Sequence, residues 1–242
     1  MIVPCLLSSI FLKVMESDNQ IIKVILLIDC ADEHDRKLLR GMMRYSNEHG
    51  PWLFYRLLPD YRIANGCEEQ AIQFAKEWKA DAIIGRWNDS KLHLLENLDI
   101  PIVLQNNSSR SDVFSNISGD YITTGRIAAQ YFQKKLYTEY AFYGLRNIIW
   151  SEERCEGFRD YVEKHKGHFH SYMEQVGENN REEVMSWLRS LPKPVAILCC
   201  DDSRALFVAE TCRAAGICVP EDVAILGVDD DDLLCHISDP PL

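Results

Sequence analysis

The stretch Val195-Ala196-Ile197-Leu198-Cys199-Cys200-Asp201-Asp202-Ser203-Arg204-Ala205-Leu206 combines two different patterns, which together indicate how the chain folds. Its first half is apolar without polar alternation, which is typical of a β-strand covered on both faces. Residues 202–215 carry apolar side chains at three- and four-residue spacing, as an amphipathic helix does. Asp201 stands at the junction, where its carboxylate can cap the free amides of the helix. The stretch predicts a buried strand that leads directly into a helix.

The same strand-and-helix unit recurs along the whole chain. Further short apolar runs occupy residues 24–28, 82–84, 102–104, 140–143 and 224–226. Amphipathic stretches separate them, at residues 34–48, 68–79, 89–97, 120–136, 151–165 and 180–190. Such an alternation predicts an α/β protein with parallel sheets wound with helices.

The alternation divides into two sets, which predicts two doubly wound lobes at residues 23–118 and 119–235. Because ligands bind at the carboxyl ends of strands in such sheets, we expect a ligand cleft between the lobes. Residues 1–22 are expected to be a disordered or spurious leader, with Met15 as an alternative start. Residues 236–242 read as the start of a return crossover to the first lobe, so the fold is expected to be truncated at its C-terminus.

Composition excludes several function classes. The chain has 242 residues, with 26 Lys and Arg against 37 Asp and Glu, a net charge of −11. This charge disfavours a DNA-binding surface, because nucleic-acid affinity depends on basic residues. No run approaches the ~18 apolar residues of a spanning helix, so no membrane contact is expected. The nine cysteines lack zinc-ligand spacing and indicate reduced thiols of a cytoplasmic protein.

The chain lacks the recognised catalytic signatures, including a Gly-x-Ser-x-Gly elbow, a Gly-x-Gly-x-x-Gly turn after a strand and a His-Glu-x-x-His helix. Binding is therefore favoured over catalysis, and no cofactor and no metal site are predicted. Asp229-Asp230-Asp231-Asp232 lacks the spaced ligands of a calcium loop and predicts a solvated acidic loop with one inward member. His165, His168 and His170 span Gly167 and predict a surface loop.

Candidate ligand-binding residues are polar or aromatic and follow the predicted strands. They are Asp35, Trp87, Asn106, Trp150, Arg154, Asp201 and Asp229. Carboxylates and a guanidinium bind vicinal hydroxyls, and an aromatic ring covers the C–H face of a pyranose, so the set points to a sugar. Alternatives stay open for several of them. Asp201 can serve as a helix cap, the two tryptophans as packing residues, and Arg154 as the surface partner of a neighbouring glutamate.

Three stretches resemble the sugar-sensing domain of LacI/GalR-type transcriptional regulators, whose fold is the type I periplasmic-binding-protein-like fold. They are Arg154-Cys155-Glu156-Gly157-Phe158, residues 196–206, and Gly216-Ile217-Cys218-Val219-Pro220-Glu221-Asp222-Val223-Ala224-Ile225-Leu226-Gly227-Val228-Asp229-Asp230. Within that family, the sequence resembles the xylose operon regulatory group through Asp35-Arg36, residues 141–145 and Trp150. In that group an AraC-type pair of helix-turn-helix motifs follows the sensor, which implies that this chain contacts DNA only through a C-terminal domain it lacks.

The resemblance implies roles for four residues. Arg154, Asp201 and Asp229 would hydrogen-bond the effector from the second lobe, and Asn106 from the first. This chain has Asp201-Asp202 where many relatives have Asn-Asp, which leaves the identity of the sugar open. We expect a pentose such as xylose to close the lobes and to signal through a homodimer formed by the first lobes.

Two other functions stay open at the level of sequence. A secreted sugar-binding protein of a transport system would have the same fold, but it predicts a cleaved signal peptide and few free thiols. A Mg²⁺-dependent enzyme using residues 229–232 predicts turnover and stabilisation by metal, whereas a sensor predicts stabilisation by sugar without product.

Overall fold

The computed structural model describes residues 21–57, 67–105, 108–178 and 180–237. It contains two compact units, Met1–Ser118 and Gly119–Leu242. Each unit is built on one parallel sheet with helices between its strands. The predicted α/β class with two parallel sheets is therefore confirmed. No helix in the described part combines the length and the apolar character needed to cross a bilayer.

The first unit has five parallel strands in the order β2-β1-β3-β4-β5. Its elements are β1 (Ile22–Leu27), α1 (Glu33–His49), β2 (Trp52–Arg56), α2 (Cys67–Trp78), β3 (Ala82–Gly85), β4 (Ile102–Leu104) and β5 (Ser115–Asn116). A 3-10 helix at Asp89–Leu94 replaces the longer helix predicted at residues 89–97. Strand β1 pairs with β2 on one side and with β3 on the other, so it lies inside the sheet next to the edge strand β2.

Strand β1 is buried on both faces, which explains its uniformly apolar sequence. Ile25 and Leu27 pack in one core cluster with Ala71 of α2, while Val24 and Leu26 pack in another with Met42 of α1. Successive strand residues point to opposite faces, so a strand covered by helices on both faces needs an apolar side chain at every position.

The second unit has four parallel strands in the order β7-β6-β8-β9. Its elements are α3 (Tyr121–Lys134), β6 (Glu139–Leu145), α4 (Ile149–Lys164), β7 (His168–Glu174), α5 (Arg181–Ser190), β8 (Val195–Cys199), α6 (Asp202–Ala215), β9 (Val223–Leu226) and α7 (Asp232–Ile237). All five residues of β8 are buried. The strand and helix read from residues 195–215 are therefore confirmed.

Helices α3 and α4 touch each other through their backbones. A Cβ atom on Gly125 of α3 would lie 2.0 Å from the carbonyl oxygen of Arg154, and one on Gly157 of α4 would lie 2.0 Å from that of Ile122. Only glycine permits this approach, because even a methyl group would overlap the facing backbone. The two glycines therefore set the position of α4, the helix that carries Arg154.

Three edge strands, β2, β5 and β7, were not predicted from the sequence. Strand β5 has only two residues, both polar, and polar residues interrupt β7. Strand β2 does carry an apolar run, Trp52-Leu53-Phe54-Tyr55, which the sequence analysis did not single out. The surface loop predicted for His168 and His170 is wrong, because both belong to β7. On the paired strand β6, one carboxylate oxygen of Glu139 accepts a hydrogen bond from His168 Nδ1, and the other accepts one from His170 Nε2 at 3.1 Å.

Candidate functional site

Arg154 is the central polar residue at the carboxyl end of the second sheet. Its side chain lies on α4 and is 5% exposed. Nη1 donates to the carbonyl oxygen of Cys200, directly after β8, and Nη2 donates to Asp229 Oδ1 at 3.3 Å, in the loop after β9. Arg154 thus pairs inside the unit rather than with a neighbouring glutamate at the surface, and it joins a helix to two strand ends.

Two aromatic rings flank the Arg154 guanidinium. Its central carbon lies 5.2 Å from the ring centroid of Trp150 and 5.3 Å from that of Tyr121. Trp150 stands four residues earlier on α4, so the helix itself places it beside Arg154. Tyr121 is buried at the start of α3 and comes from a different element. Sequence reasoning missed Tyr121, although it directly follows the helix-capping Asp120.

One nitrogen atom of the Arg154 guanidinium has no hydrogen-bond partner within the described residues. This atom is Nε, and it is buried. A guanidinium carries five N–H donors, and a buried donor without a partner costs about 1–3 kcal/mol. Because the ion pair with Asp229 and the flanking rings hold the guanidinium, Nε is fixed in position for an incoming acceptor.

Asp201 acts as the cap of α6. Its Oδ1 accepts from the backbone N of Arg204 at 2.7 Å, and its Oδ2 lies 3.3 Å from Arg204 Nη1. Burial raises the pKa of Asp201 and the nearby Asp229 carboxylate adds to this, while the Arg204 charge opposes it. The capping role considered from the sequence is confirmed, and both carboxylate oxygens already have partners.

The acidic loop after β9 turns further inward than the sequence predicts. Asp231 is buried, and its backbone N donates to Asp202 Oδ2 at 2.7 Å. Asp229 has a backbone φ of 104°, a conformation that residues other than glycine rarely adopt. Its carboxylate accepts a hydrogen bond from Arg154. Asp202 is 4% exposed, and burial raises its pKa to about 6, although the hydrogen bond from Asp231 opposes the rise. Two members of the loop therefore lie inward instead of one.

Asp35 lies at the start of α1 in the first unit and is fully buried. Its Oδ1 accepts from Arg86 Nη2 at 2.8 Å, and its Oδ2 accepts from the backbone N of Asp29 at 3.2 Å. Burial raises the pKa of Asp35, and the Arg86 charge opposes the rise. Because both oxygens of Asp35 are in use, its carboxylate holds Arg86 in place at the end of β3.

Two predicted ligand residues of the first unit remain, Trp87 and Asn106. Trp87 is 8% exposed in the core of the first unit, and its Nε1 donates to the carbonyl oxygen of Lys91 at 2.9 Å. This arrangement is the packing role that the sequence left open. Asn106 lies outside the described residues. Among the described residues, no group of three or more His, Cys, Asp or Glu side chains could hold a metal ion.

Comparisons with known proteins agree with this fold. Residues 129–242 match the periplasmic binding protein-like domain, and the fold is similar to that of a solved periplasmic binding protein/LacI transcriptional regulator from Alkaliphilus metalliredigens. The family resemblance expected from the sequence is therefore confirmed. The chain shares 22% identity and a TM-score of 0.72 with the solved "structure of xylose-binding transcription activator xylR", covering 88% of this chain and 55% of that one.

Curated relatives point in the same direction. The xylose operon regulatory protein of Haemophilus influenzae is 26% identical over 239 residues, covering 91% of this chain and 58% of the relative. The xylose operon regulatory protein of Escherichia coli K12 is 26% identical over 232 residues, covering 89% of this chain and 57% of the relative. The chain thus spans less than three fifths of the length of these relatives. Both are regulatory proteins of a xylose operon.

Proposed function

We propose that this chain is the effector-binding part of a bacterial transcriptional regulator and that its effector is a neutral sugar, a pentose such as xylose. The observation that carries the proposal is the buried Arg154, which is paired with Asp229 and flanked by the rings of Trp150 and Tyr121. Its Nε has no hydrogen-bond partner among the residues that the structure describes. Guanidinium and carboxylate groups bind hydroxyls by charge-assisted hydrogen bonds, and the rings offer apolar faces to C–H groups.

The charges around Arg154 favour a neutral ligand over a phosphorylated sugar. The guanidinium is already paired with Asp229, and the Asp201 carboxylate is close enough to both to affect their electrostatics. A phosphate group would meet these two carboxylates without gaining an unpaired cation, and like charges at short range repel. A hydroxyl accepts from Nε without that penalty.

The proposal also includes DNA recognition, lobe closure, dimerisation and location, which follow from the family resemblance. With a net charge of −11, DNA recognition is assigned to a C-terminal AraC-type domain outside this sequence, as the family resemblance implies. Closure of the lobes on the sugar, homodimer formation through the first lobe and a cytoplasmic location belong to the same proposal. Among the predicted ligand residues, Asn106 remains included, whereas Trp87 is left out because its ring lies in the core.

A sugar-binding protein of a transport system is the second candidate. Its support is the ribose import binding protein RbsB of Salmonella typhimurium, which is 28% identical over 138 residues, covering 54% of this chain and 45% of the relative. The longer matches to regulators make this candidate the weaker one.

Calorimetric titration of the chain with D-xylose, L-arabinose, D-ribose and D-xylose 5-phosphate tests the proposal. We expect one neutral pentose to bind and the phosphate ester to bind at least tenfold more weakly. Arg154→Ala should weaken binding roughly tenfold to a hundredfold, the effect of losing a charge-assisted hydrogen bond. Arg159→Ala is the matched control, because Arg159 lies on the same helix with an exposed side chain. Equal affinity of the wild type and Arg154→Ala would refute the site.

A further inference from the structure

We propose that Arg86 and Gln105 form a hydroxyl-recognition pair in the first unit and that this pair selects the effector by one particular hydroxyl group. The inference rests on the proposed function, because the effector supplies the hydroxyl, but it assigns specificity to two residues that the family resemblance did not single out. Its basis is a pair of buried polar atoms at neighbouring strand ends.

Gln105 supplies the acceptor of the pair. It follows β4 directly, and its backbone N donates to the carbonyl oxygen of Gly85 at 2.8 Å. Its side chain is 6% exposed, and its Oε1 has no hydrogen-bond partner within the described ranges. Buried side-chain amide oxygens are normally satisfied, so an unused one calls for an explanation. A ligand donor provides one.

Arg86 supplies the donor. It follows β3, and its Nη2 is held by Asp35 Oδ1 at 2.8 Å, while its Nε is buried with no partner among the described residues. The preceding Gly85 has a φ of 140°, and a Cβ there would lie 2.4 Å from the carbonyl oxygen of Leu27. The backbone at this point thus requires glycine. Gly85 sets the position of the Arg86 backbone, and Asp35 sets the position of the Arg86 guanidinium.

The sheet register brings the two residues side by side. Gly85 of β3 pairs with Leu104 of β4 in parallel register, and Arg86 and Gln105 are the next residue on each strand. In-register residues of paired parallel strands are neighbours on the sheet. Arg86 and Gln105 therefore occupy adjacent positions, and each carries a buried side-chain atom that has no hydrogen-bond partner among the described residues.

A hydroxyl group is the chemical group that matches this pair. It accepts from Arg86 Nε and donates to Gln105 Oε1 with the same oxygen. A carboxylate or phosphate oxygen can accept but cannot donate, and an ammonium can donate but cannot accept. The positive charge of Arg86 is already paired with Asp35, so an anion would gain little. The pair consequently rejects a sugar that lacks this hydroxyl, because both buried atoms would then stay unsatisfied.

Deoxy sugars test the inference. The probes are D-xylose and its 2-deoxy, 3-deoxy and 4-deoxy analogues, or the corresponding set for whichever pentose the wild type binds, titrated by calorimetry. We expect the wild type to bind one analogue at least tenfold more weakly than the parent sugar. Gln105→Met keeps the side-chain length and removes the acceptor. Gln105→Met should bind the parent sugar more weakly than the wild type does. Its affinities for the parent sugar and for that one analogue should lie within about twofold of each other.

Two further variants separate recognition from a merely structural role. Arg86→Lys keeps the cation for Asp35 and removes Nε, so it should lose discrimination at the same hydroxyl as Gln105→Met. Gln73→Met, an exposed glutamine of α2, is the matched control and should keep the wild-type pattern. Circular dichroism and thermal melting establish that each variant is folded, and Arg86→Lys carries the test if Gln105→Met does not fold.

The outcomes for this inference and for the proposed function are distinct. If Gln105→Met and Arg86→Lys keep the wild-type discrimination while Arg154→Ala loses the sugar, the hydroxyl pair is refuted and the proposed function stands. If the wild type binds no neutral pentose, the proposed function fails and the inference fails with it. Loss of discrimination at one shared hydroxyl in both variants supports the inference.

Discussion

Arg154 Nη2 donates to Asp229 Oδ1 at 3.3 Å, joining α4 to the loop after β9 across 75 residues of sequence. The same guanidinium also donates to the carbonyl oxygen of Cys200, which follows β8. One buried side chain therefore ties together a helix and two strand ends of the second unit. Its remaining Nε is the donor on which the proposed sugar site depends.

Asp229→Ala should destabilise the second unit, because it leaves the buried Arg154 charge without its carboxylate. Breaking a buried ion pair costs about 3–5 kcal/mol, and the partial exposure of Asp229 places the expected loss near the lower end. Asp229→Asn keeps an acceptor oxygen and tolerates the positive φ, so its loss should be smaller. Urea denaturation of both variants gives the comparison. Two variants as stable as the wild type would show that the pair contributes nothing.

Asp202 should make the second unit less stable as the pH rises from about 4 to about 6. Burial raises its pKa from 3.8 to about 6, so in this range the folded chain binds more protons than the unfolded chain. The free energy of unfolding therefore falls as the pH rises, by at most about 3 kcal/mol. Asp202→Asn should remove this part of the pH dependence.

Urea denaturation at pH values from 4 to 7 measures the effect of Asp202. Asp160→Asn serves as the control, because Asp160 is exposed on α4 and should leave the pH profile unchanged. A profile of Asp202→Asn that runs parallel to that of the wild type would contradict the assignment.

Gly157→Ala should weaken both the fold and sugar binding. The added methyl would overlap the carbonyl oxygen of Ile122, which is backbone and cannot rotate away. Overpacking of this kind costs about 1–3 kcal/mol, and relief by a shift of α4 would move Arg154. Thermal melting and pentose titration provide the two readouts, with the exposed Lys134→Ala on α3 as control. Unchanged melting of Gly157→Ala would refute the close approach of the helices.

Asp35 and Arg86 should show strong energetic coupling. Asp35→Ala removes the partner of Arg86 and of the Asp29 amide, and Arg86→Ala leaves a buried carboxylate. A double-mutant cycle should give a coupling energy of about 1–3 kcal/mol, because each single variant leaves one charge uncompensated. The pair is structurally unimportant if the two single losses add up to that of the double variant.

Strand prediction succeeded for the fully buried strand β8 and failed for the edge strand β7. Val195–Cys199 is buried at every position, so its apolar sequence identifies it. Strand β7 lies at a sheet edge, and its His168 and His170 are held by a carboxylate of the neighbouring strand. Such a partner is 29 or 31 residues away in sequence, and no local pattern reveals it.

From local sequence patterns alone, the α/β class, most of the alternating strands and helices, and the position of Arg154, Asp201 and Asp229 among the apolar runs could be predicted. These features depend on local periodicity and on polar residues that follow a strand. Only the tertiary structure decided the partners: Arg154 with Asp229 and Tyr121, and Asp35 with Arg86. The physical reason is that a side chain's partner depends on strand register and helix packing, which join residues far apart in the chain.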